Sequence, residues 1–374
     1  MDSIKIGIVT TTFFGKECSS GLANNIFLLS KELANKYGVD VSIFTPMHKG
    51  LTKTHGAYRN LPKKETGDGI HVNRIPKSII DDYKFSPGLI TALLKEKFDL
   101  IHSSHYGYFP ATAGFIAAKA KHIPHIFTAT YHPIQLTKFK SFLMQLYHIS
   151  QGRIILKKSN KVLPYNYNEM EELKKITNFR YKIVPCPINN RIFYSKKVNK
   201  EKLTISYIGT LLPWKGAGIA FDICKEIEKE RKDVRFVFVG SGYMEKELKR
   251  KASKRFTFLK NISNQELAKQ YNLADVILYP TKYESFGRVL AEAMSCGTPI
   301  VSTKVGAVPE TVGPGGMLVD YGEWNKMRDY VLQILDDNEL RKKLGKRAFK
   351  HSRQYRDDIV AKKIFDVYKN ILEQ

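Results

Sequence analysis

Two glutamates, Glu284 and Glu292, lie eight residues apart in the stretch YESFGRVLAEAMSCGTPIV, which runs from Tyr283 to Val301. Carboxylates accept hydrogen bonds from hydroxyl groups. The residues around Gly287 lead into a run of helix formers, and the start of a helix offers N–H groups and a positive dipole end to phosphate. Two carboxylates beside such an anion site suit a ligand that carries both hydroxyl and phosphate groups, as a nucleotide sugar does.

The elements around the pair carry this interpretation, because about one glutamate pair at this spacing is expected by chance. The apolar run Val276 to Tyr279 predicts a buried strand that ends at Pro280, and Val289 to Ser295 predicts a helix. Gly297 suits a left-handed helix cap, and Ile300 to Thr303 predicts the next strand. The loop of this unit therefore lies at the carboxyl end of a parallel strand, where open α/β sheets bind ligands.

The whole segment resembles the Glu-x7-Glu signature of retaining GT-B glycosyltransferases of glycosyltransferase family 4, whereas the glutamate pair alone also fits an ordinary βαβ unit. The resemblance implies an α/β fold with two Rossmann-like doubly wound domains facing across a cleft. It implies that the C-terminal domain binds the donor substrate, a UDP- or GDP-linked nucleotide-diphospho-sugar, and that the N-terminal domain mainly binds the acceptor. No cofactor and no metal are expected, and the sequence has no Asp-x-Asp or His-x-x-x-His pattern.

A second motif, Gly209 to Gly216, resembles the family pattern "GRL…KG", in which an arginine and a lysine grip the donor pyrophosphate. Lys215 matches that lysine, and Thr210 stands where the arginine is expected. Positive charge is needed there because the departing nucleoside diphosphate gains negative charge as the glycosidic bond breaks. Arg288, beside the signature loop, is one candidate for the missing charge.

Further short motifs extend the resemblance to a full set of candidate site residues. Gly240-Ser241-Gly242 resembles a turn of the family, and Lys260-Asn261 follows a strand after which family members hold the base through backbone groups. The amides of Gly287 to Leu290 are expected to hold the diphosphate, Glu292 the ribose and Glu284 a sugar hydroxyl. The predicted donor-binding residues are Gly21, Thr210, Lys215, Gly240, Lys260, Asn261, Glu284, Ser285, Phe286, Gly287, Arg288, Val289, Leu290 and Glu292.

The N-terminal half carries the resemblance through a loop and a histidine. The first predicted strand opens onto a loop that ends at Ser20-Gly21, where the family usually has Gly-Gly. A later strand, Pro124 to Thr130, delivers His132 at its carboxyl end, and the resemblance implies that this histidine lies against the transferred sugar. His102 and His105 occupy a similar place one strand earlier. The predicted catalytic residues are His132, Glu284 and Lys215.

The stretch Lys182 to Phe193, KIVPCPINNRIF, resembles the link between the two domains of the family. We therefore expect an N-terminal Rossmann-like acceptor domain at residues 1–190 and a C-terminal Rossmann-like donor domain at residues 191–356. The resemblance also implies that a terminal amphipathic helix, residues 357–374, packs back on the N-terminal domain.

The balance of charge is strongly basic, with 61 lysines and arginines against 36 acidic residues and a net charge of +25. Nucleic acid, an anionic membrane or acceptor, and an ordinary solvated surface all fit this charge. No acidic residue occurs between Asp99 and Glu169. Within that interval Gln135 to Lys158 predicts an amphipathic, cationic helix, which suits either an interfacial membrane contact or a core-packed helix with a basic outer face.

The sequence has four scattered cysteines and no signal peptide or apolar run of membrane-spanning length, which predicts a cytoplasmic protein. The basic charge and the Gln135 to Lys158 helix add the expectation of peripheral contact with the inner face of the cell membrane. The predicted function is a retaining, metal-independent transfer of a hexosyl group from the nucleotide sugar to an acceptor hydroxyl. A membrane lipid or a cell-surface glycan precursor is the expected acceptor. A GT-B sugar-nucleotide epimerase, a basic nucleic-acid-binding protein and a noncatalytic partner protein are the alternatives.

Overall fold

A computed structural model of the chain describes residues 3–12, 21–47, 62–76, 83–131 and 138–374, without the side chains of residues 21–23 and 138–140. The chain forms two compact units. Unit 1 comprises Met1–Pro187 and Asp357–Gln374, and unit 2 comprises Ile188–Arg356. Each unit is built around one sheet with helices between its strands. The α/β fold of two doubly wound units is therefore confirmed.

In unit 1, seven described strands form a sheet in the order β3-β4-β2-β1-β5-β6-β7. All described neighbours are parallel except β3 and β4, which pair antiparallel at the edge. The strands are β1 (Lys5–Val9), β2 (Asp40–Pro46), β3 (Lys64–Gly67), β4 (Ile70–Ile75), β5 (Leu100–Ser104), β6 (His125–Thr128) and β7 (Lys161–Val162). The helices are α1 (Gly21–Tyr37), α2 (Gly88–Lys95), α3 (Phe109–Ala120), α4 (Lys138–Tyr147), α5 (Arg153–Lys158), α6 (Tyr167–Lys174) and, from the end of the chain, α14 (Asp357–Leu372).

In unit 2, six described strands form an all-parallel sheet in the order β10-β9-β8-β11-β12-β13. The strands are β8 (Leu203–Ile208), β9 (Val234–Val239), β10 (Phe256–Leu259), β11 (Val276–Tyr279), β12 (Ile300–Thr303) and β13 (Gly316–Val319). The helices are α7 (Ala217–Glu230), α8 (Glu245–Lys251), α9 (Asn264–Leu273), α10 (Arg288–Ser295), α11 (Val308–Val312), α12 (Trp324–Asp336) and α13 (Asn338–Ser352). The central strands β8 and β11 are almost wholly buried, as expected for a parallel sheet that helices cover on both faces.

The last helix, α14, belongs to unit 1. Its buried side chains, which include Val360 and Ile364, join those of α1 and of β1 in one apolar cluster. The ring of Phe365 stacks on Tyr37 of α1 with centroids 4.4 Å apart. The hydroxyl of Tyr368 lies 2.7 Å from Nδ1 of His102, so that α14 is also tied to the central sheet by a buried hydrogen bond.

The prediction of one continuous helix from Gln135 to Lys158 is wrong for the described part. A π-helical turn, His148–Gly152, separates α4 from α5, and Ser150 has φ −110° and ψ −106°. The Tyr106 side chain lies against the end of this turn, where a Cβ atom at Gly152 would be 2.1 Å from the Tyr106 hydroxyl oxygen. That hydroxyl is also 2.9 Å from Nδ1 of His148. The turn therefore packs closely on Tyr106, which leaves no room for a side chain at position 152.

Two smaller features complete the description of unit 1. Helix α6 is capped by Asn166, whose side chain accepts the Glu169 N–H at 2.8 Å. Within the described ranges, none of the helices combines the length and the apolar character that crossing a membrane requires.

Candidate active site

The candidate site in unit 2 lies where β8 and β11 end. The two strands are parallel neighbours, so the loops that follow them meet at one edge of the sheet. The loop after β8 carries Lys215, and the loop after β11 carries Glu284. The Lys282 N–H donates to the Trp214 carbonyl at 2.9 Å and joins the two loops. Residues that are 69 positions apart in the chain are thereby brought together.

Lys215 and Glu284 form a direct ion pair through Nζ and Oε1. The same carboxylate oxygen accepts a hydrogen bond from the Tyr279 hydroxyl at 2.7 Å. The Lys215 ammonium group also lies 4.6 Å from the centre of the Trp214 ring, within the range of a cation–π contact. Glu284 is buried. Within the described part of unit 2, the Lys215 ammonium group and the Tyr279 hydroxyl group compensate its carboxylate for the loss of hydration.

Two stacked tyrosines, Tyr207 and Tyr279, lie next to the ion pair of Lys215 and Glu284. Tyr207 at β8 and Tyr279 at β11 have ring centroids 5.8 Å apart, and the Tyr207 hydroxyl donates to the Thr210 carbonyl at 2.9 Å. Burial, followed by the negative charge of Glu284, raises the pKa of both phenols far above the ordinary value. Both hydroxyls consequently stay protonated and act as hydrogen-bond donors. Sequence analysis did not identify these two tyrosines as site residues, although Tyr279 ends the apolar strand ADVILY that leads into the site.

Two glycines allow the backbone to come close enough for this arrangement. Gly216, with φ +78°, starts α7 beside the Pro280 carbonyl, and a Cβ atom there would lie 2.0 Å from that oxygen. Gly306, with φ +50°, lies beside the Glu284 carbonyl, which a Cβ atom would approach to 2.2 Å. That carbonyl accepts the Ala307 N–H at 2.9 Å. The main chain of Glu284 is thus fixed by a contact that only glycine permits.

The helix predicted for Val289 to Ser295 is present and starts one residue earlier than predicted. Gly287 is its N-cap, with φ 79° and ψ 55°, and α10 starts at Arg288. The Leu290 N–H donates to the Gly287 carbonyl at 2.9 Å, so this predicted phosphate-binding amide is engaged in the helix's own first turn. The amides of Arg288 and Val289 also lie in that turn, at the positive end of the helix dipole.

Phe286 and Ser285 complete the loop before α10. Phe286 is buried and packs edge-to-face on Tyr355 with centroids 5.3 Å apart. Its carbonyl accepts a hydrogen bond from the Thr311 hydroxyl of α11. Ser285 is half-buried. Phe286 therefore anchors the loop in the interior of unit 2.

Glu292 is held by two protein groups. One carboxylate oxygen accepts from the Arg288 guanidinium Nε at 2.7 Å, and the other accepts from the Tyr271 hydroxyl at 3.0 Å. Thr210, where the family has an arginine, is exposed. Glu292 lies one helical turn from Arg288 and orients its guanidinium group, so the structure joins Arg288 to the second glutamate of the signature.

The neighbouring strand ends carry the remaining donor-site candidates of unit 2. Gly240 follows β9 with φ +145°, and a Cβ atom there would lie 1.9 Å from the Gly209 carbonyl oxygen. Lys260 and Asn261 follow β10 and are exposed. Lys260 pairs with Glu245 at 3.1 Å, and Asn261 adopts the left-handed conformation with φ 53°. Since β10, β9, β8 and β11 are adjacent, these residues share the edge that carries Lys215 and Glu284.

The candidates of unit 1 are described less completely. Gly21 is the first residue of α1, whereas the predicted catalytic residue His132 lies outside the described residues. His102 is buried between the Tyr368 hydroxyl and the Thr128 hydroxyl, and burial lowers its pKa to about 4. His105 is also buried and has φ 75°. His102 therefore serves the packing of unit 1 as a neutral side chain.

Comparison with known sequences agrees with this geometry. Residues 189–351 match the sequence model described as "Glycosyl transferases group 1", and residues 19–191 match the one described as "Glycosyltransferase Family 4". An uncharacterised glycosyltransferase of Methanocaldococcus jannaschii is 27% identical over 288 residues, which cover 74% of this chain and 76% of that protein. A D-inositol 3-phosphate glycosyltransferase of Corynebacterium efficiens is 26% identical over 92% of this chain and 89% of its own length.

Solved structures share the fold at lower sequence identity. A sucrose-phosphate synthase from Thermosynechococcus elongatus superposes with a TM-score of 0.79 at 20% identity and covers 99% of both chains. The HepE protein of Anabaena, solved in complex with UDP and glucose, has a TM-score of 0.72 at 15% identity over 98% of this chain and 100% of that chain.

The two Rossmann-like units and the loops at the strand ends of unit 2 define the GT-B class of transferase enzymes. The chain belongs to the group 1, or family 4, glycosyltransferases, whose two sequence models match its two halves.

Proposed function

We propose that this chain transfers a hexosyl group from a UDP- or GDP-linked sugar to an acceptor hydroxyl, with retention of the anomeric configuration and without a metal ion or cofactor. The acceptor is proposed to be a membrane lipid or a glycan precursor. The HepE structure with UDP and glucose supports a nucleotide-sugar donor by analogy of fold.

The ion pair of Lys215 with Glu284 is the observation that carries the proposal. A lysine ammonium group has three donors, and the bond to Glu284 uses one of them. The others remain suited to the diphosphate of a donor at the start of α10. Negative charge develops on the diphosphate as the C1–O bond breaks, and a fixed cation and a helix N-terminus stabilise that charge.

The proposed reaction occurs on one face of the sugar. The bond between the anomeric carbon and the diphosphate breaks, the acceptor oxygen bonds to the same face of that carbon, and the acceptor proton passes to the departing phosphate oxygen. Glu284 would accept a hydroxyl of the transferred sugar, and Glu292 would accept the ribose hydroxyls. By resemblance to the family, His132 would lie against the sugar at the reacting carbon.

The first test replaces each partner of the ion pair in turn, as Lys215→Met and Glu284→Gln. Loss of a group that stabilises transition-state charge typically costs about 100- to 1,000-fold, and we expect a loss of that size in kcat/KM for donor turnover. The matched control is the exposed pair of α8, Glu247 and Lys251, changed as Lys251→Met and Glu247→Gln. Retention of activity within about tenfold in both site variants would contradict the proposed roles.

The same preparation tests the finer parts of the proposal. We expect thermal stabilisation by UDP- or GDP-sugars, product of unchanged anomeric configuration by proton NMR, and full turnover in the presence of a chelator. Conversion of the donor sugar without any acceptor would identify an epimerase instead. Inverted product or chelator-sensitive turnover would refute the proposed mechanism while leaving the class of enzyme unchanged.

A further inference from the structure

Large apolar side chains are exposed along α4, the π-helical turn and α5, the segment that connects β6 to β7 in the sequence of unit 1. We call it the apolar patch, and its members with their exposed fractions are Phe142 (55%), Leu143 (46%), Leu146 (44%), Ile149 (72%) and Ile154 (52%). Single exposed apolar side chains are normal on protein surfaces, whereas a contiguous group usually marks a binding surface. Elsewhere in the described part of the chain, large exposed apolar residues are widely separated in sequence.

The apolar patch is not the face by which this segment packs on unit 1. Tyr147, Gly152, Ile155 and Leu156 are buried and supply the contact with the core. The patch residues are exposed at helical spacing in α4 and continue through the π-helical turn into α5. The segment therefore has two apolar faces, and only one of them is explained by folding.

Basic side chains flank the patch. Arg153, Lys157 and Lys158 are exposed on α5, on the same outer side as Ile154. Their spacing with Ile154 places them on one face of the helix. No acidic residue occurs between Asp99 and Glu169 to neutralise them. Large apolar side chains beside a row of cations are the composition of helices that lie in the interface of an anionic membrane.

We propose that the apolar patch and its basic flank dock unit 1 on an anionic lipid bilayer. In this arrangement α4 and α5 lie in the plane of the surface, the patch residues reach the boundary between headgroups and acyl chains, and the three cations meet anionic headgroups. Charge complementarity selects this occupant over a second copy of the chain, because self-association through the patch would oppose two basic flanks on molecules of net charge +25.

Flotation with vesicles tests the apolar contribution. The wild-type protein should float with phosphatidylcholine vesicles that contain phosphatidylglycerol and remain unbound with pure phosphatidylcholine. The variant Leu143→Ser/Leu146→Ser should lose at least about tenfold in binding, because each leucine contributes through burial of its side chain. The control is Tyr321→Ser/Phe349→Ser in unit 2, whose side chains have matching exposures of 45% and 43% and which should bind as the wild type does.

Removal of charge tests the basic flank. Each basic side chain close to an anionic surface is worth roughly fivefold in binding, so Arg153→Gln/Lys157→Gln/Lys158→Gln should bind far more weakly. Removal of three exposed lysines of unit 2, as Lys229→Gln/Lys246→Gln/Lys254→Gln, changes the net charge equally and should have a much smaller effect. Equal losses in the two triple variants would show that diffuse charge binds the vesicles, which overturns the docking surface.

Other outcomes also decide the proposal. Failure of the wild-type protein to float with anionic vesicles overturns it, and so does unchanged binding of the leucine variant. A wild-type dimer in sedimentation that the leucine variant abolishes would assign the patch to a second copy. The proposal does not rest on the proposed function, because flotation requires neither donor nor acceptor.

Discussion

At the scale of single residues, Glu284 combines burial with a charge. A buried carboxylate loses the hydration of its charge, and a cation with hydrogen bonds offsets this loss only when the geometry is good. Lys215 and the Tyr279 hydroxyl supply that compensation. Lys215 and Glu284 are also the residues proposed to hold the donor, so the stability of the loop and its proposed chemistry depend on one ion pair.

A double-mutant cycle separates the two contributions. Removal of the cation in Lys215→Met leaves Glu284 buried and unpaired, and we expect the free energy of unfolding to fall by about 3–5 kcal/mol. The variant Lys215→Met/Glu284→Gln should recover part of that loss because no uncompensated charge remains. Urea unfolding of the four proteins measures the coupling, and additive effects would show that the ion pair contributes little in solution.

At the scale of elements, the start of α6 is held by a carboxylate that the reaction does not use. Glu169 is buried and accepts the Tyr131 and Tyr165 N–H groups, each at 2.6 Å. Burial raises its pKa from 4.5 to about 7, although both hydrogen bonds lower it. The strand end that leads to His132 is therefore fastened to α6 by a side chain that titrates near neutral pH.

This raised pKa predicts a pH dependence of stability. Because the folded state holds the Glu169 proton more tightly than the unfolded state, the contribution of this group is fully present below about pH 4.5 and is lost as the pH rises through 7. The loss amounts to at most about 3 kcal/mol for a shift of this size. Relative to Glu169→Gln, the wild-type protein should become less stable to urea between pH 5 and pH 8. The exposed neighbour Glu171→Gln is the control, and parallel pH profiles of wild type and Glu169→Gln would contradict the assignment.

The elements of unit 2 were predictable because their patterns are local. The strand Val276–Tyr279 has the predicted bounds, and α10 starts one residue earlier than predicted. The break between α4 and α5 was not predicted, and the Tyr106 side chain that packs on it comes from a different part of the chain. The contact of Lys215 with Glu284 and the support from Tyr207 likewise require strands that only the folded sheet brings side by side. The family resemblance identified Lys215 and Glu284 as candidates, and the structure shows which groups they contact.

At the scale of the whole molecule, α14 makes the end of the chain part of the core of unit 1. The side chain of Ile364 is buried in the cluster that α14 shares with α1 and β1. His102, at the centre of the sheet, depends on the same helix for one of its two hydrogen bonds. Unit 1 therefore depends on residues that follow unit 2 in the sequence.

We expect Ile364→Ala to lower the free energy of unfolding by about 2–5 kcal/mol through the cavity that it leaves in unit 1. Hydrogen exchange should accelerate in residues 1–187 and 357–374 and remain unchanged in residues 188–356, because the cavity lies in unit 1 alone. The exposed Lys362→Ala on the same helix is the control. Uniform acceleration in both units would show that the whole chain unfolds as one cooperative body.

Within unit 2, the first and last residues lie side by side. Ile188 and Arg356 form a parallel bridge, and the Ile188 N–H donates to the Tyr355 carbonyl at 2.7 Å. Unit 2 is thus a continuous domain with adjacent ends, inserted between the two segments of unit 1. Domains with adjacent ends tolerate insertion into another sequence. A homologous segment with similarly spaced ends could be spliced between Pro187 and Asp357, which would exchange the proposed donor site independently of the surface that carries the apolar patch.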